Sequence, residues 1–300
     1  MMDVTPAQAG PQETIRIGLA LGGGSARGFA HIGVLQVLEE HGIRPALLAG
    51  TSFGALVAAM YAAGLSVEEI EATARATRAR DLLRRIPDFG LHKAAVFEGR
   101  RLEAYFEHML EGRHFEDLEL PLSVATTDVD TGERVVLDSG PLAPALRASS
   151  SLPGIFAPVE LQGRRLADGG LGASVPLDVL FDHDVDVRIG VGAGLTVRGS
   201  AAPEAVRRMA SSRFGSMMCD RVLASRSSGA FVGLGKALAV GARGLAAEER
   251  GTGALEMETA PPIHWLQFGR AAQAIRAGRE AAALFLPQLR GAIARFEAAV

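Results

Sequence analysis

Gly50-Thr51-Ser52-Phe53-Gly54 reads G-x-S-x-G, the spacing that can present a serine as a nucleophile on a sharp turn. The flanks suit that use. Ala46-Leu47-Leu48-Ala49 is a short apolar run of strand type, and Ala55 to Ala63 has the composition of a buried helix. A strand–turn–helix frame lifts the serine above the sheet edge, and Gly50 and Gly54 keep side chains out of its way. Ser52 then stands at a helix N-terminus, where backbone N–H groups favour developing negative charge. Against this stands chance, since G-x-S-x-G recurs in any chain rich in Gly and Ser.

A second glycine cluster, Gly22-Gly23-Gly24-Ser25-Ala26-Arg27-Gly28, follows a predicted strand over Ile15 to Leu21. A nucleotide cradle does not fit it. From Gly22, G-x-G-x-x-G needs glycine where Arg27 stands, Ala46 to Ser52 holds no acidic residue for a ribose, and no Gly-Lys-Ser/Thr follows. Consecutive glycine N–H groups at Gly22, Gly23 and Gly24 suit an oxyanion hole instead, where one donor is worth about 10²–10³ in rate. The plainer alternative is a loop that only permits close strand–helix packing. Arg27 has two uses, bracing this loop or meeting an anionic head group.

A serine needs a base. Chain order permits Ser52…Asp168…His264, the triad order of α/β-hydrolases. His264, however, follows two prolines beside Trp265, and His183 lies in Asp182-His183-Asp184, a pattern of solvated connections. Asp168 is the better candidate. It ends a short predicted strand, and Gly169 and Gly170 let its carboxylate approach a backbone and a hydroxyl closely. A carboxylate of ordinary pKa, about 4, needs partial desolvation to act as a base. In isolation, Asp-Gly-Gly is also an ordinary turn.

The elements that position these residues follow from periodicity. A helix from about Ala26 to Glu40 stops at Gly42, and with the elbow this makes a βαβα opening that predicts a parallel sheet with right-handed crossovers. Both loops then emerge at the carboxyl edge of neighbouring strands, where open α/β sheets place their sites. Ser66-Val67-Glu68-Glu69 is a capping box. A helix is predicted over about Arg100 to Leu110, a hairpin over Leu122–Thr127 and Arg134–Leu137, and a short helix over Pro144 to Ala148. Late strands are expected over Asp186 to Val191 and Leu255 to Glu258. A long helical pattern runs from Gly269 to Ala299 with a break at Pro287. The division expected is a loose tail over 1–14, an α/β core over 15–197 and a mostly helical C-terminal portion over 198–300.

With 300 residues, 48% of them hydrophobic, the chain can bury a large core. A net charge of −3 gives no global reason to expect nucleic acid. The single cysteine, Cys219, excludes an intrachain disulfide and a cysteine-based zinc site, which suits a reducing, cytoplasmic setting. Residues 1–14 lack the pattern of a signal peptide. Ala46 to Val67 is uncharged and long enough to imitate a membrane span, but its glycines and the elbow divide it into a strand and a helix, and the chain reads as soluble. Asp182, Asp184 and Asp186 lack the glycine and final glutamate of a calcium loop. Arg198 to Arg226 carries six arginines interleaved with Phe214, Met217 and Met218. It reads as a helix with a solvated basic face or as a lid making transient contact with a membrane surface.

Three pieces in this order, Gly-Gly-Gly-Ser-Ala-Arg-Gly, Gly-Thr-Ser-Phe-Gly and Asp-Gly-Gly, resemble the patatin-like phospholipase family of lipid acyl hydrolases. Arg147 to Val159, Ala125 to Asp128 and Thr131 to Glu133 carry the resemblance further. It implies a three-layer α/β/α sandwich with a mainly parallel central sheet. It also implies a Ser52–Asp168 dyad without histidine, an oxyanion hole at Gly22 to Gly24, a lipid or ester substrate, and no metal or cofactor. Acyl transfer or thioester cleavage by the same dyad, and a lipid-binding module without turnover, are the alternative readings. Oligomeric state is not legible.

Overall fold

The computed structural model describes residues 15–76, 88, 95–171, 174–194 and 254–298. The N-terminal tail, most of the arginine-rich stretch after Ala76 and the basic segment Arg198 to Arg226 lie outside the described residues.

Strand β1 (Ile17–Leu21), a 3-10 turn (Ser25–Phe29) and helix α1 (Ala30–Glu40) lead to β2 (Leu47–Thr51) and α2 (Phe53–Ala62). The expected start of the first helix at Ala26 is therefore a 3-10 turn, and α-helix begins four residues later. Helix α3 (Val67–Ala76) opens on the predicted capping box: the Ser66 N–H donates to Glu69 Oε2 at 2.9 Å and the Glu69 N–H to Ser66 Oγ at 3.2 Å. Strand β3 (Ala95–Phe97) and α4 (Arg100–Met109) precede the hairpin β4 (Leu122–Asp128) and β5 (Arg134–Leu137). Helix α5 (Leu142–Ser149) follows, then β6 (Gly154–Phe156), β7 (Val159–Leu161) and β8 (Arg164–Asp168). The turn between β7 and β8 is Gln162-Gly163, and Arg164 and Arg165 already belong to β8.

After a 3-10 helix (Leu177–Asp182) come β9 (Val187–Gly192), β10 (Ala254–Glu258) and α6 (Ala271–Glu297). Hydrogen bonds link the main sheet along the path β10-β9-β1-β2-β4-β8-β7, with β5 also on β4, and β3 pairs with β6 in a small second sheet. β10, β9, β1, β2 and β4 are mutually parallel, β5 and β8 run antiparallel to β4, and β7 pairs antiparallel with β8. β10 completes the edge of this sheet, so the sheet does not end at residue 197.

Alternation along the central strands feeds both faces, giving the three-layer α/β/α arrangement. Leu19, Leu21 and Leu48 point into the main core with α1, α2, α3 and α6, while Ala20, Leu47 and Ala49 meet Val179 and Leu180 of the 3-10 helix. Every residue of α2 from Gly54 to Ala62 is buried, which accounts for its lack of charge. Helix α6 crosses α1 with backbones nearly touching: a Cβ on Gly278 would stand 1.9 Å from the Ala30 carbonyl oxygen. It runs unbroken through Pro287, contrary to the break expected there. Phe285, Leu286 and Leu289 are buried on either side of the exposed proline, and that burial outweighs a missing helical hydrogen bond and ring clash worth about 3 kcal/mol.

Candidate active site

Ser52 sits where β2 turns into α2, at φ 53° and ψ −122°, a left-handed backbone rare for a residue with a side chain. Packing enforces the turn. A Cβ on Gly50 would stand 2.4 Å from Ala55 Cα, and one on Gly54 would stand 2.3 Å from the Leu21 carbonyl oxygen. Both glycines are thus required by the close return of α2 over β2 and over the end of β1. Ser149, fully buried at the end of α5, holds the turn from the third side. Its hydroxyl accepts the Ser52 N–H at 2.8 Å and donates to the Ala125 carbonyl at 2.7 Å. The aromatic rings of Phe29, Phe53 and Phe268 pack together beneath, with centroids 4.8–6.2 Å apart.

The register brings Asp168 to Ser52. Val124 and Ala125 pair with both β2 and β5, and Thr126 and Thr127 pair with both β5 and β8. A strand has two edges, so β2 and β8 must share one edge of β4. Thr51 lies opposite Ala125 and Asp168 opposite Thr126, so the two strands end head to head, each carrying one of the predicted pair. Gly169 then passes over β4 so tightly that a Cβ would lie 2.4 Å from the Ala125 carbonyl oxygen.

Asp168 is 7% exposed, and burial pushes its carboxyl up to about 6. Two donors pull the other way: the Gly170 N–H, 2.8 Å from Oδ1, and the Ser52 hydroxyl. The Asp168 N–H donates to the Ser151 carbonyl at 3.1 Å. Ser151 is held in turn by buried Arg147, whose guanidinium donates to the Ser151 hydroxyl and to the carbonyls of Glu98, Gly99 and Ala157, and lies over the Phe156 ring. Burial lowers the Arg147 pKa to about 10, which leaves it charged at neutral pH.

The glycine loop lies beside the serine. A Cβ on Gly23 would stand 3.5 Å from Ser52 Cβ. The three N–H groups are not equivalent, however. Gly22 donates to the Val191 carbonyl and Gly23 to the Ser174 carbonyl, both at 2.9 Å, while the Gly24 N–H meets no acceptor among the described residues. His31 is fully buried under this loop, with Nε2 2.7 Å from the Gly22 carbonyl. A carbonyl only accepts, so Nε2 carries the proton, and burial lowers the ring's pKa to about 4, keeping it neutral. Arg27 braces the loop, donating to the carbonyls of Gly194 at 2.7 Å and Ile263 at 2.9 Å.

The histidines weighed as a third member are elsewhere engaged. His183 Nε2 faces Ser123 Oγ at 3.3 Å, and His264 is exposed, its Nδ1 3.4 Å from the Leu266 N–H. Among the described residues neither hydrogen-bonds to Ser52 or Asp168. Asp184 and Asp186 both bind Arg16. A cavity of about 490 Å³, lined by Leu47, Leu122, Ser123 and His183, opens where the parallel strands begin, away from the predicted pair. No described helix is long and apolar enough to cross a membrane. Ser149, Ser174 and His31 were not singled out as site residues in the sequence. Only the run Ser149-Ser150-Ser151, within the stretch carrying the family resemblance, hinted at the first.

A family model described as patatin-like phospholipase matches residues 19–181. An uncharacterised NTE family protein of Mycobacterium tuberculosis is 36% identical over 186 residues, 62% of this chain and 51% of that protein. A patatin-like phospholipase domain-containing protein of Caenorhabditis elegans is 39% identical over 168 residues, 55% of this chain and 12% of that protein. Human patatin-like phospholipase domain-containing protein 6 is 33% identical over 182 residues, 59% and 13% respectively. The match thus spans about half the length of the mycobacterial relative and far less of the animal ones. VipD from Legionella pneumophila superposes with a TM-score of 0.46 at 14% identity, over 92% of this chain and 67% of that one, a likeness too distant to inform the chemistry. With its family model matched over more than half of its length, this chain belongs to the patatin-like phospholipases, a family of hydrolases acting on ester bonds.

Proposed function

We propose that this chain is a serine lipid acyl hydrolase in which Ser52 is the nucleophile and Asp168 the general base, with a lipid or simple carboxylic ester as substrate. One observation carries the reading. A serine held in a strained turn at a helix N-terminus stands where the strand bearing a buried carboxylate ends, and burial raises that carboxyl's pKa to about 6.

At neutral pH Asp168 is ionised yet more basic than an exposed carboxylate. As Ser52 Oγ attacks the ester carbonyl, its proton passes to Asp168, and the carbonyl oxygen becomes an alkoxide. The Gly24 N–H and the N-terminus of α2 stabilise that charge. Gly22 and Gly23, whose N–H groups are committed to carbonyls, shape the loop instead. Collapse of the intermediate breaks the ester C–O bond, and Asp168 returns the proton to the leaving alcohol. Water then attacks the acyl-enzyme by the reverse path, with Asp168 again accepting the proton, and releases the fatty acid and Ser52. Asp168 thus performs the work usually given to a histidine, because desolvation supplies the basicity.

Labelling with a fluorophosphonate, read by intact mass, tests the reading. Wild type is expected to take one adduct, Ser52→Ala none, and Asp168→Asn one only slowly. Folded wild type that stays unlabelled with detergent or liposomes present would overturn the hydrolase reading in favour of a binding module.

A further inference from the structure

Ser174, between Asp168 and the 3-10 helix Leu177–Asp182, grips the glycine loop twice. Its carbonyl accepts the Gly23 N–H at 2.9 Å, and its hydroxyl donates to the Gly23 carbonyl at 3.3 Å. A peptide unit is planar and trans, so its C=O and N–H point in opposite directions. The Gly23 carbonyl and the Gly24 N–H belong to one such unit. Holding the carbonyl therefore sets the direction of the N–H, away from the Ser174 side chain.

The preceding unit is clamped at both ends, by His31 on the Gly22 carbonyl at 2.7 Å and by the Ser174 carbonyl on the Gly23 N–H. Of the three glycines, that leaves Gly24 with an N–H that meets no acceptor among the described residues. Gly23, next to it, is flanked by both serines: a Cβ there would lie 3.5 Å from Ser52 Cβ and 3.8 Å from Ser174 Oγ. Consecutive glycines impose almost no backbone preference of their own, so the orientation of this donor has to come from outside the loop.

We infer that Ser174 is a positioning residue for the oxyanion hole: its hydroxyl holds the Gly23–Gly24 peptide so that the Gly24 N–H stays turned toward the alkoxide formed at Ser52. The inference rests on the proposed hydrolase reading. Losing an oxyanion donor outright costs about 10²–10³ in rate. Losing only its orientation costs less, because the backbone anchor on Gly23 survives, and about tenfold is expected. The loss falls on kcat, since the donor meets full negative charge only after the carbonyl has been attacked.

The test compares wild type, Ser174→Ala and Ser174→Thr on a short-chain p-nitrophenyl ester. An alkyl trifluoromethyl ketone, whose hemiketal with Ser52 places an alkoxide in the hole, is the inhibitor. Ser174→Ala should lower kcat about tenfold with KM within about twofold of wild type, weaken the ketone by a similar factor and keep the wild-type melting temperature. Ser174→Thr, which keeps the hydroxyl, should restore most of both. Where the alanine variant does not fold, Ser174→Cys, similar in size and a poor donor, takes its place with the same outcomes. Wild-type kcat in the variant, a loss confined to KM, unchanged ketone affinity, or failure of threonine to rescue would each overturn the positioning role. If folded wild type neither turns over the ester nor binds the ketone, the hydrolase reading itself fails, and this inference with it.

Discussion

The Asp168→Asn substitution keeps the shape of the side chain and an acceptor for the Gly170 N–H, while its amide nitrogen can donate to Ser52. What it removes is the charge. In wild type the carboxyl titrates at about 6 rather than 3.8, because the folded protein buries it. At 1.36 kcal/mol per unit, ionising this group in the fold costs on the order of 3 kcal/mol. The sign follows from proton counts. Between pH 3.8 and about 6 the folded state holds a proton that the unfolded state has released, so wild-type stability falls as pH rises through that window and levels off above it. Asparagine does not titrate. Asp168→Asn should therefore lose about 10²–10⁴ in kcat and yet gain on the order of 3 kcal/mol over wild type at about pH 8, an advantage that shrinks toward zero near pH 4. Urea unfolding of both proteins at these two pH values, with ester turnover alongside, measures it. A variant no more stable than wild type at about pH 8, or one whose advantage is the same at both pH values, would refute the idea that the base is made by desolvation.

On the proposed dyad the same titration sets activity: kcat/KM should rise with pH through a single inflection near about 6 and stay level above it, since only ionised Asp168 accepts a proton. An inflection near the ordinary value of 3.8 would mean that the working carboxylate is solvated. Gly54→Ala places a Cβ 2.3 Å from the Leu21 carbonyl oxygen. It should destabilise the fold by about 1–3 kcal/mol or more and abolish labelling of Ser52, whereas an unchanged urea midpoint would contradict the close packing of α2 on β1. Ser149→Ala strands the Ser52 N–H and the Ala125 carbonyl in the interior. A stability loss of about 1–3 kcal/mol, with a fall in kcat exceeding any change in KM, is expected from denaturation and steady-state kinetics.

Local patterns in the chain were enough for the elbow, the glycine loop, the Asp-Gly-Gly turn, the β4–β5 hairpin and the edge strand at Leu255 to Glu258. Each depends on residues a few positions apart, where periodicity and turn chemistry act directly. Ser52, Asp168 and the glycines could be singled out as candidates for the same reason, since their motifs carry the local geometry that the proposed chemistry requires. The continuity of α6 through Pro287 was not legible, because the penalty of a helical proline is local and the burial that outweighs it is not.

The rest of the site was decided only by the tertiary structure. Whether Asp168 meets Ser52 depends on β2 and β8 sharing one edge of β4, a matter of register between strands more than a hundred residues apart. Which glycine N–H is available depends on carbonyls at Val191 and Ser174 taking the other two. Ser149 reaches the Ser52 N–H across 97 positions of sequence. The basicity of Asp168 is not a property of aspartate at all: it appears when packing strips water from the carboxylate, and no stretch of sequence carries that by itself. Composition and spacing named Ser52 and Asp168 as candidates; the free energy that raises the carboxyl's affinity for a proton arises only once distant segments close around it.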